Sequence, residues 1–322
     1  MKKSIKILIV ALAVVFSCAC GVQRTDIPST LPPDSTNKPM DTLSIVPQES
    51  NTSIVTPTAL PQQSNQADPN AKTFAQLFPD VEFAQIIANL FDKSPSDVIT
   101  IEELASYKGE LDCYYGDLKD LTGIGYMTGI TSFSCGKNEV TELPPEIGKL
   151  VNLTKLNLTK AYNLTKLPAE IKNLNKLEYL SVGLTSLEKI PPEIGELINL
   201  KYLYIVRTNI TNIPPEIGKL KNLEYLEIHS NNISEIPTSI CNLINLKELN
   251  ISYTNLLKLP QDIGKLTVLE RFDLFGCKLK TIPSSVKNMK NLIYFNVYNN
   301  FELDESYKNF VSKSAYECKN SS

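Results

Sequence analysis

A base and a carboxylate stand two residues apart in the second half of the chain. Glu227 and His229 belong to an alternating stretch, so in a strand both side chains project from one face. Such a pair can perform general acid–base catalysis. The surrounding sequence shows no nucleophile, pocket-forming loop or oxyanion motif, so we interpret both residues as binding contacts and predict no catalytic residue. His229 is the only histidine, which excludes a site built on several histidines.

A second stretch has the spacing of an EF-hand calcium loop. Its six ligand positions are occupied by Asp92, Ser94, Ser96, Val98, Thr100 and Glu103. The position that needs glycine for a sharp turn is Asp97, and the middle ligands are weak hydroxyls. The cysteines form no C-x-x-C pair and have no partner histidines. We therefore predict neither a metal ion nor a cofactor.

Composition restricts the class of partner. Hydrophobic residues make up 42% of the chain, enough to bury a core, and the net charge is −3. A nucleic-acid partner would require a basic surface that releases phosphate counterions. No nucleic acid is therefore expected.

The first residues are typical of an export signal. A basic start is followed by an apolar run over residues 7–16, which is short for a transmembrane span. The segment 1–20 resembles bacterial lipoprotein signals, in which a small residue precedes the cysteine that receives diacylglycerol. Both Cys18 and Cys20 follow a small residue, and the choice stays open. The resemblance implies lipid anchoring at the extracellular face of the cell membrane; the alternative is an ordinary secretory signal and a secreted protein.

Two segments precede the repeats. Residues 21–71 are rich in Pro, Ser, Thr, Asn and Gln, a composition that predicts a disordered tether. Residues 72–108 predict a small helical N-terminal cap. Asp80 is expected to cap a helix over residues 81–91, and a Thr100-x-x-Glu103 capping box predicts a second helix to about Tyr107.

Residues 109–303 carry a repeat of 23 residues. The leucines that begin successive copies are 24 residues apart once and then 23 apart five times: Leu153, Leu177, Leu200, Leu223, Leu246, Leu269 and Leu292. A Leu-x-x-Leu-x-Leu run predicts a strand in each copy. A Leu/Ile-Pro-x-x-Ile-x-x-Leu run, with apolar spacing near three and a glycine at one repeated place, predicts a 3₁₀ or short helical return. One copy alone buries too little, so neighbouring copies must stack.

This pattern resembles the leucine-rich-repeat family, which implies an α/β fold: a solenoid with a curved parallel sheet and a small helical cap. In the family an asparagine after each strand bonds to turn backbone. The equivalent column here is Gly116, Asn138, Thr185, Thr208, Asn231, Thr254, Cys277 and Asn300. The 24-residue copy places Asn163 out of register, which predicts a bulge over residues 161–163. The first copy and the helices before it resemble the cap of internalin-type surface proteins from Gram-positive bacteria.

Residues 304–322 predict a C-terminal cap and tail. Asp304 is suited to begin a helix in which Tyr307, Phe310 and Val311 cover the last repeat. Cys113 and Cys135 fall at equivalent inward positions of adjacent repeats, so either a disulfide or two buried thiols is compatible with the strand spacing.

The outward strand positions form the concave face, which is rich in tyrosine. We predict one contiguous patch of Tyr179, Tyr202, Tyr204 and Tyr225 and a second of Phe275, Tyr294 and Tyr298. Glu227, His229, Arg271 and Asp273 complete the predicted binding surface. Tyrosine combines large contact area with a polar group and recurs at binding hot spots. Strand propensity alone would also favour Val, Ile and Thr, which are scarce in these columns.

The expected function is non-catalytic binding of a protein or peptide at the cell surface. Two alternatives remain open. Stacked tyrosines also suit sugar rings, which would indicate a glycan or cell-wall polymer binder. A purely structural component of a surface layer would instead associate with itself.

Overall fold

The computed structural model describes residues 71–304. The signal segment with Cys18 and Cys20, nearly all of the tether, the helix expected after Asp304, and Cys318 lie outside the described residues. Within residues 71–304, no helix has the length and apolar character needed to cross a membrane.

The N-terminal cap consists of three short helices and a two-stranded ribbon. Its elements are β1 (Lys72–Thr73), α1 (Phe74–Leu77), α2 (Val81–Asn89), β2 (Val98–Ile99) and α3 (Ile101–Ser106). The predicted caps of α2 and α3 are confirmed, since Asp80 accepts the N–H groups of Glu82 and Phe83 and the capping box of α3 is complete. Helix α2 ends two residues before the predicted boundary. Helix α1 and the antiparallel β1–β2 ribbon were not predicted.

Carboxylates join the cap to the first repeat. The second oxygen of Asp80 accepts the backbone N–H groups of Lys119 at 2.8 Å and Asp120 at 3.2 Å. Glu82, at the same end of the helix, accepts the N–H of Asp117 at 2.9 Å. Because these N–H groups favour the ionised carboxylate, the pKa of Asp80 is lowered although partial burial opposes the shift. One residue therefore both caps a helix and fixes its position on the repeats.

Nine parallel strands follow one another in chain order within the described residues. They are β3 (Glu110–Asp112), β4 (Ser132–Ser134), β5 (Lys155–Asn157), β6 (Tyr179–Ser181), β7 (Tyr202–Tyr204), β8 (Tyr225–Glu227), β9 (Glu248–Asn250), β10 (Arg271–Asp273) and β11 (Tyr294–Asn296). The predicted 3₁₀ returns are confirmed at Ile124–Tyr126, Pro145–Lys149, Ala169–Asn173, Pro192–Glu196, Pro215–Lys219, Thr238–Asn242, Ile263–Lys265 and Ser284–Asn288. The predicted leucine-rich-repeat solenoid is confirmed.

The core lies between the sheet and the returns. The middle residue of a strand, such as Leu203, and the second residue after it, Ile205, are fully buried. The return contributes residues such as Ile217. Close stacking explains the repeated glycine: a Cβ added at Gly195 would lie 2.6 Å from the Glu216 carbonyl oxygen of the next return. The repeat therefore fixes the distance between neighbouring returns as well as between strands.

The predicted asparagine column forms a buried ladder. The amide nitrogen of Asn231 donates to the carbonyls of Ile205 and Ile228, and its oxygen accepts from the Thr208 N–H. Thr254 keeps one of these bonds, to the carbonyl of Ile251. In the 24-residue copy Ala161 is buried, whereas Tyr162 and Asn163 are exposed. Asn163 therefore lies outside the buried ladder, as predicted from its position out of register.

A second amide ladder, which was not predicted, lies ahead of the strands. The side-chain nitrogens of Asn199, Asn222 and Asn245 each donate to a backbone carbonyl of the preceding repeat at 2.7–2.9 Å. Two polar ladders thus flank the strands and hold the sheet in one register.

Candidate binding site on the concave face

The strand register places the predicted surface residues in regular columns. One column contains Lys155, Tyr179, Tyr202, Tyr225, Glu248, Arg271 and Tyr294. The next contains Asn157, Ser181, Tyr204, Glu227, Asn250, Asp273 and Asn296. The predicted residues of both columns lie on successive strands as expected, because the repeat fixes which residues pair.

Four tyrosines form a continuous cluster, named here the tyrosine cluster: Tyr179, Tyr202, Tyr204 and Tyr225. The rings of Tyr202 and Tyr225 stack with centroids 4.8 Å apart and planes 10° apart. Tyr179 bridges to Tyr204 at 5.4 Å and to Tyr202 at 6.3 Å. All four side chains remain partly exposed, so the cluster presents aromatic surface to solvent while its geometry is fixed by the strands beneath.

The hydroxyl groups of Tyr179, Tyr204 and Tyr225 stay neutral, because burial raises their pKa. Nearby tyrosines and Glu227 raise the pKa of Tyr204 further. Tyr179 bonds to Ser181, which also contacts the Thr159 hydroxyl at 2.6 Å. Neutral hydroxyls can donate as well as accept, so the surface can satisfy the backbone groups of an extended ligand.

His229 and Glu227 do lie side by side, with Nε2 and Oε2 3.7 Å apart. Burial, with a smaller contribution from Arg207, lowers the pKa of His229 to about 4. Burial raises the pKa of Glu227 to about 7, and Glu248 and Asp273 add to the shift. The imidazole is therefore neutral at neutral pH, and the contact is not an ion pair.

The expectation that no nucleophile accompanies this pair is corrected by the structure. The hydroxyl of Ser230 lies 3.1 Å from Nδ1 of His229. The backbone of Ser230 is left-handed, with φ 58°, at the residue where the chain leaves the strand. The arrangement lacks two features of an activated nucleophile. The base is weak, and Glu227 lies beyond the hydrogen-bonding distance at which it would orient the imidazole. This geometry favours a contact role.

The second predicted aromatic group has other neighbours than expected. Phe275 packs against Tyr253, with ring centroids 5.0 Å apart. Tyr294 lies beneath the Arg271 guanidinium at 4.4 Å, and its hydroxyl donates to Asp273 at 3.3 Å. Tyr253 was not predicted because it follows the third outward position and has a left-handed backbone, with φ 54°, so it lies outside the alternating pattern.

A further aromatic group lies at the N-terminal end of the face. Tyr114 and Tyr115 pack edge to face at 4.6 Å, and the ammonium of Lys137 lies 4.0 Å from the centroid of Tyr115. The predicted surface residues begin at Tyr179 on β6, so neither tyrosine was included. Extending the outward columns back to β3 would have identified Tyr114.

Two carboxylates of the stretch with EF-hand spacing bind neighbouring residues of the same stretch. Glu103 accepts the Thr100 N–H at 2.9 Å and lies 3.7 Å from the ammonium of Lys93. Asp97 accepts the N–H of Ser94 at 2.7 Å. These carboxylates therefore stabilise the turn and the start of α3.

Cys113 and Cys135 are free, buried thiols. Burial raises the pKa of both, that of Cys135 to about 12. The disulfide that the sequence left open is absent from this pair, and both thiols belong to the core.

Similarity to known proteins agrees with the repeat architecture. A family described as leucine-rich repeat region matches residues 188–251 and 238–312. Internalin J of Listeria monocytogenes is 38% identical over 72 residues, which span 22% of this chain and 8% of the relative. The crystal structure of internalin C2 of L. monocytogenes has a TM-score of 0.62 at 23% identity and covers 70% of this chain and 97% of its own.

A plant structure is also similar. The leucine-rich-repeat ectodomain of the membrane receptor kinase GASSHO1/SCHENGEN3 from Arabidopsis thaliana, solved in complex with CASPARIAN STRIP INTEGRITY FACTOR 2, has a TM-score of 0.51 at 25% identity. The match covers 58% of this chain and 24% of the plant chain. The matched residues span 8% of internalin J and 24% of the plant ectodomain. The activities of these whole proteins are therefore not assigned to this chain by similarity.

Proposed function

We propose that this leucine-rich-repeat solenoid, which is similar to internalins, binds a protein or peptide through its concave face, at the cell surface and without catalysis. The tyrosine cluster carries this proposal. Its rings are stacked, partly exposed and held by regular strands. A preformed surface loses little side-chain freedom when a ligand binds, and aromatic side chains dominate binding hot spots.

Two further observations support a macromolecular partner. The similar plant ectodomain was solved with a bound factor, so a fold of this kind can present a ligand-binding face. The concave columns lie on a sheet whose register is fixed by two amide ladders. Such a sheet suits a ligand that contacts several repeats at once.

We place this head outside the cell through the segments that precede it. Residues 1–20 act as the export signal, Cys18 or Cys20 receives the lipid, and residues 21–71 serve as the tether. Metabolic labelling with an alkyne fatty acid tests the anchor. Label should be lost in Cys18→Ala or in Cys20→Ala, and label retained by both single variants and by the double variant would contradict lipid anchoring.

The binding proposal is tested by crosslinking pull-down with the intact chain from surface extracts. The test variant carries Ser at Tyr179, Tyr202, Tyr204 and Tyr225. The control variant carries Ser at Val151, Ile198 and Ile244, exposed apolar residues that follow the returns. Circular dichroism first establishes that both variants fold. Specific capture by the native and control proteins, lost in the tyrosine variant, supports the proposal.

Equal capture by all three proteins would refute the concave face as the site. If no protein is captured and the native chain binds a glycan array in a tyrosine-dependent way, the partner is a glycan or wall polymer. The stacked Tyr202 and Tyr225 rings favour this second candidate, because stacked tyrosines also suit sugar rings. Self-association of the purified chain would instead indicate a structural surface-layer role.

A further inference from the structure

Carboxylates along the edge of the concave face are paired with lysines of the next repeat. Glu178 lies 2.9 Å from the ammonium of Lys201, and Glu224 lies 2.7 Å from that of Lys247. Equivalent positions of adjacent repeats lie on neighbouring strands. A lysine one repeat after a glutamate therefore neutralises the charge of that glutamate at the edge of the face.

The carboxylates on the face itself are arranged differently. Glu227, Glu248 and Asp273, named here the acidic trio, project from β8, β9 and β10. The strand neighbours of Glu227 are Tyr204 and Asn250 rather than a lysine. All three carboxyls have a raised pKa, with burial as the largest cause. Burial of like charges on an open face leaves this part of the surface with unfavourable electrostatics when no ligand is bound.

Among the outward residues of β8, β9 and β10, Arg271 is the one cationic side chain, beside the three carboxylates of the acidic trio. Its Nε lies 3.7 Å from Glu248. Its guanidinium covers the Tyr294 ring at 4.4 Å, on the side away from the tyrosine cluster. Glu227 therefore faces the tyrosine cluster without a lysine or arginine among its strand neighbours.

The tyrosine cluster and the acidic trio share a border. Tyr225 is the strand neighbour of Glu248, and Tyr204 is the strand neighbour of Glu227. A guanidinium stacks on a tyrosine ring and at the same time donates in its plane to carboxylates. Arg271 shows a related arrangement within the chain: its guanidinium stacks above Tyr294, and its Nε forms an ion pair with Glu248 at 3.7 Å.

We infer that the partner is an extended peptide segment that places an arginine side chain at this border, stacked on Tyr225 and donating to Glu227 and Glu248. The inference rests on the proposed function and gives its ligand a chemistry. Arginine suits the site better than lysine because its planar donors can reach two carboxylates, whereas an ammonium is a point charge with stronger hydration.

Binding of this kind depends on pH. The groups that face Glu227 are Tyr204, Asn250, Glu248, Asp273, Arg271 and His229. His229 stays neutral between pH 6 and pH 8, because its pKa is about 4. Glu227, with a pKa of about 7, must be ionised to hold a guanidinium. Affinity should therefore fall as the pH decreases from 8 to 6, by no more than the loss of affinity that Glu227→Gln alone causes.

The experiment measures fluorescence anisotropy of the intact chain with a labelled octapeptide of alternating arginine and serine. In an extended peptide this alternation places every arginine on one face. A citrulline peptide of equal length removes the charge and keeps the shape. The test variant is Glu227→Gln with Glu248→Gln and Asp273→Asn. The matched control removes three charges from the edge column: Glu178→Gln, Glu224→Gln and Glu270→Gln.

We expect roughly tenfold weaker binding of the arginine peptide to the test variant, and of the citrulline peptide to the native chain, with less than about a twofold change in the control variant. Both variants are checked by circular dichroism, and Glu227→Gln alone should flatten the pH profile. Equal affinity of the test and control variants, or of the two peptides, overturns the inference.

The pull-down separates this inference from the proposed function. If the natural partner is lost by the tyrosine variant but kept by the acidic-trio variant, the concave binding function stands and the arginine contact is wrong. If the tyrosine variant also keeps the partner, the proposed function itself fails.

Discussion

The buried asparagine ladder allows a stability prediction to be worked out from individual bonds. Asn231 is 4% exposed and makes four hydrogen bonds. Its oxygen accepts the N–H of Thr208 at 2.7 Å and the hydroxyl of the same residue at 2.8 Å. Its nitrogen donates to the carbonyls of Ile205 at 2.6 Å and Ile228 at 2.8 Å. Asn231→Ala removes all four bonds, and the alanine side chain has no polar atom that could replace them.

The cost follows from these bonds. A buried hydrogen bond contributes about 1 kcal/mol net, and a backbone group left without a partner costs at least as much. Asn231→Ala should therefore lower the free energy of unfolding by roughly 4 kcal/mol. Asn231→Thr should cost about three quarters of that, because a threonine here can keep one of the four bonds by donating to the carbonyl three residues back, as Thr254 does at 2.9 Å.

The assay is equilibrium unfolding in urea, followed by circular dichroism and by tyrosine fluorescence. Coincidence of the two signals is required, since long repeat arrays can depart from two-state unfolding. Asn212→Ala is the control. That side chain is exposed and bonds to the neighbouring Thr211 hydroxyl at 3.1 Å, so its loss should change stability by less than about 0.5 kcal/mol. An Asn231→Ala variant no less stable than the control would refute the ladder argument.

Three other outcomes are expected. Gly195→Ala should lower the Tm by roughly 3–8 °C, because its Cβ would lie 2.6 Å from a backbone carbonyl of the next return. Gly183→Ala should leave the Tm almost unchanged, because the atom nearest to its Cβ would be 3.4 Å away. The His229 imidazole, followed by proton NMR as the only histidine, should titrate with a midpoint at about 4, since burial disfavours the imidazolium. Cys113 and Cys135 should resist iodoacetamide until the chain unfolds, since both are buried and their pKa is raised, as peptide mass mapping would reveal.

Each of these expectations has a clear contrary result. Equal Tm changes in the two glycine variants would mean that the returns are not closely stacked. A midpoint at about 6.5 would mean that the imidazole is solvated. Rapid labelling of both thiols in the native protein would place them outside the core.

The repeat made most of the concave face predictable. Alternation along a strand is a local property with a period of two, and a constant 23-residue spacing fixes which residues pair. Tyr202 and Tyr225 could therefore be assigned to one column from the repeat alone. Cap residues such as Asp80 and Thr100 were also predictable, because capping acts over about four residues.

Two elements of the cap were not predicted. Helix α1 has four residues and β1 has two, too few for a helical or alternating period to be visible. The one local signal for α1 is its Thr73-x-x-Gln76 capping box, which was not recognised in the sequence. Strand β1 exists because it pairs with Val98 and Ile99, about 25 residues away along the chain. No property of Lys72 or Thr73 alone indicates such a partner.

The sequence by itself determined the strands, their order, the returns and the aromatic columns, because a repeated pattern dictates burial one unit at a time. The tertiary structure decided contacts and charges that depend on neighbours one repeat away, such as the burial that raises the pKa of Glu227. It also decided the left-handed residue that follows each strand, which is glycine only at Gly276 and another residue, such as Leu184 or Tyr253, in the other eight of the nine described repeats. Such a backbone is unfavourable in isolation. It is held because the N–H of Tyr253 donates to the Phe275 carbonyl of the next repeat at 2.7 Å, a bond that exists only once the repeats have stacked.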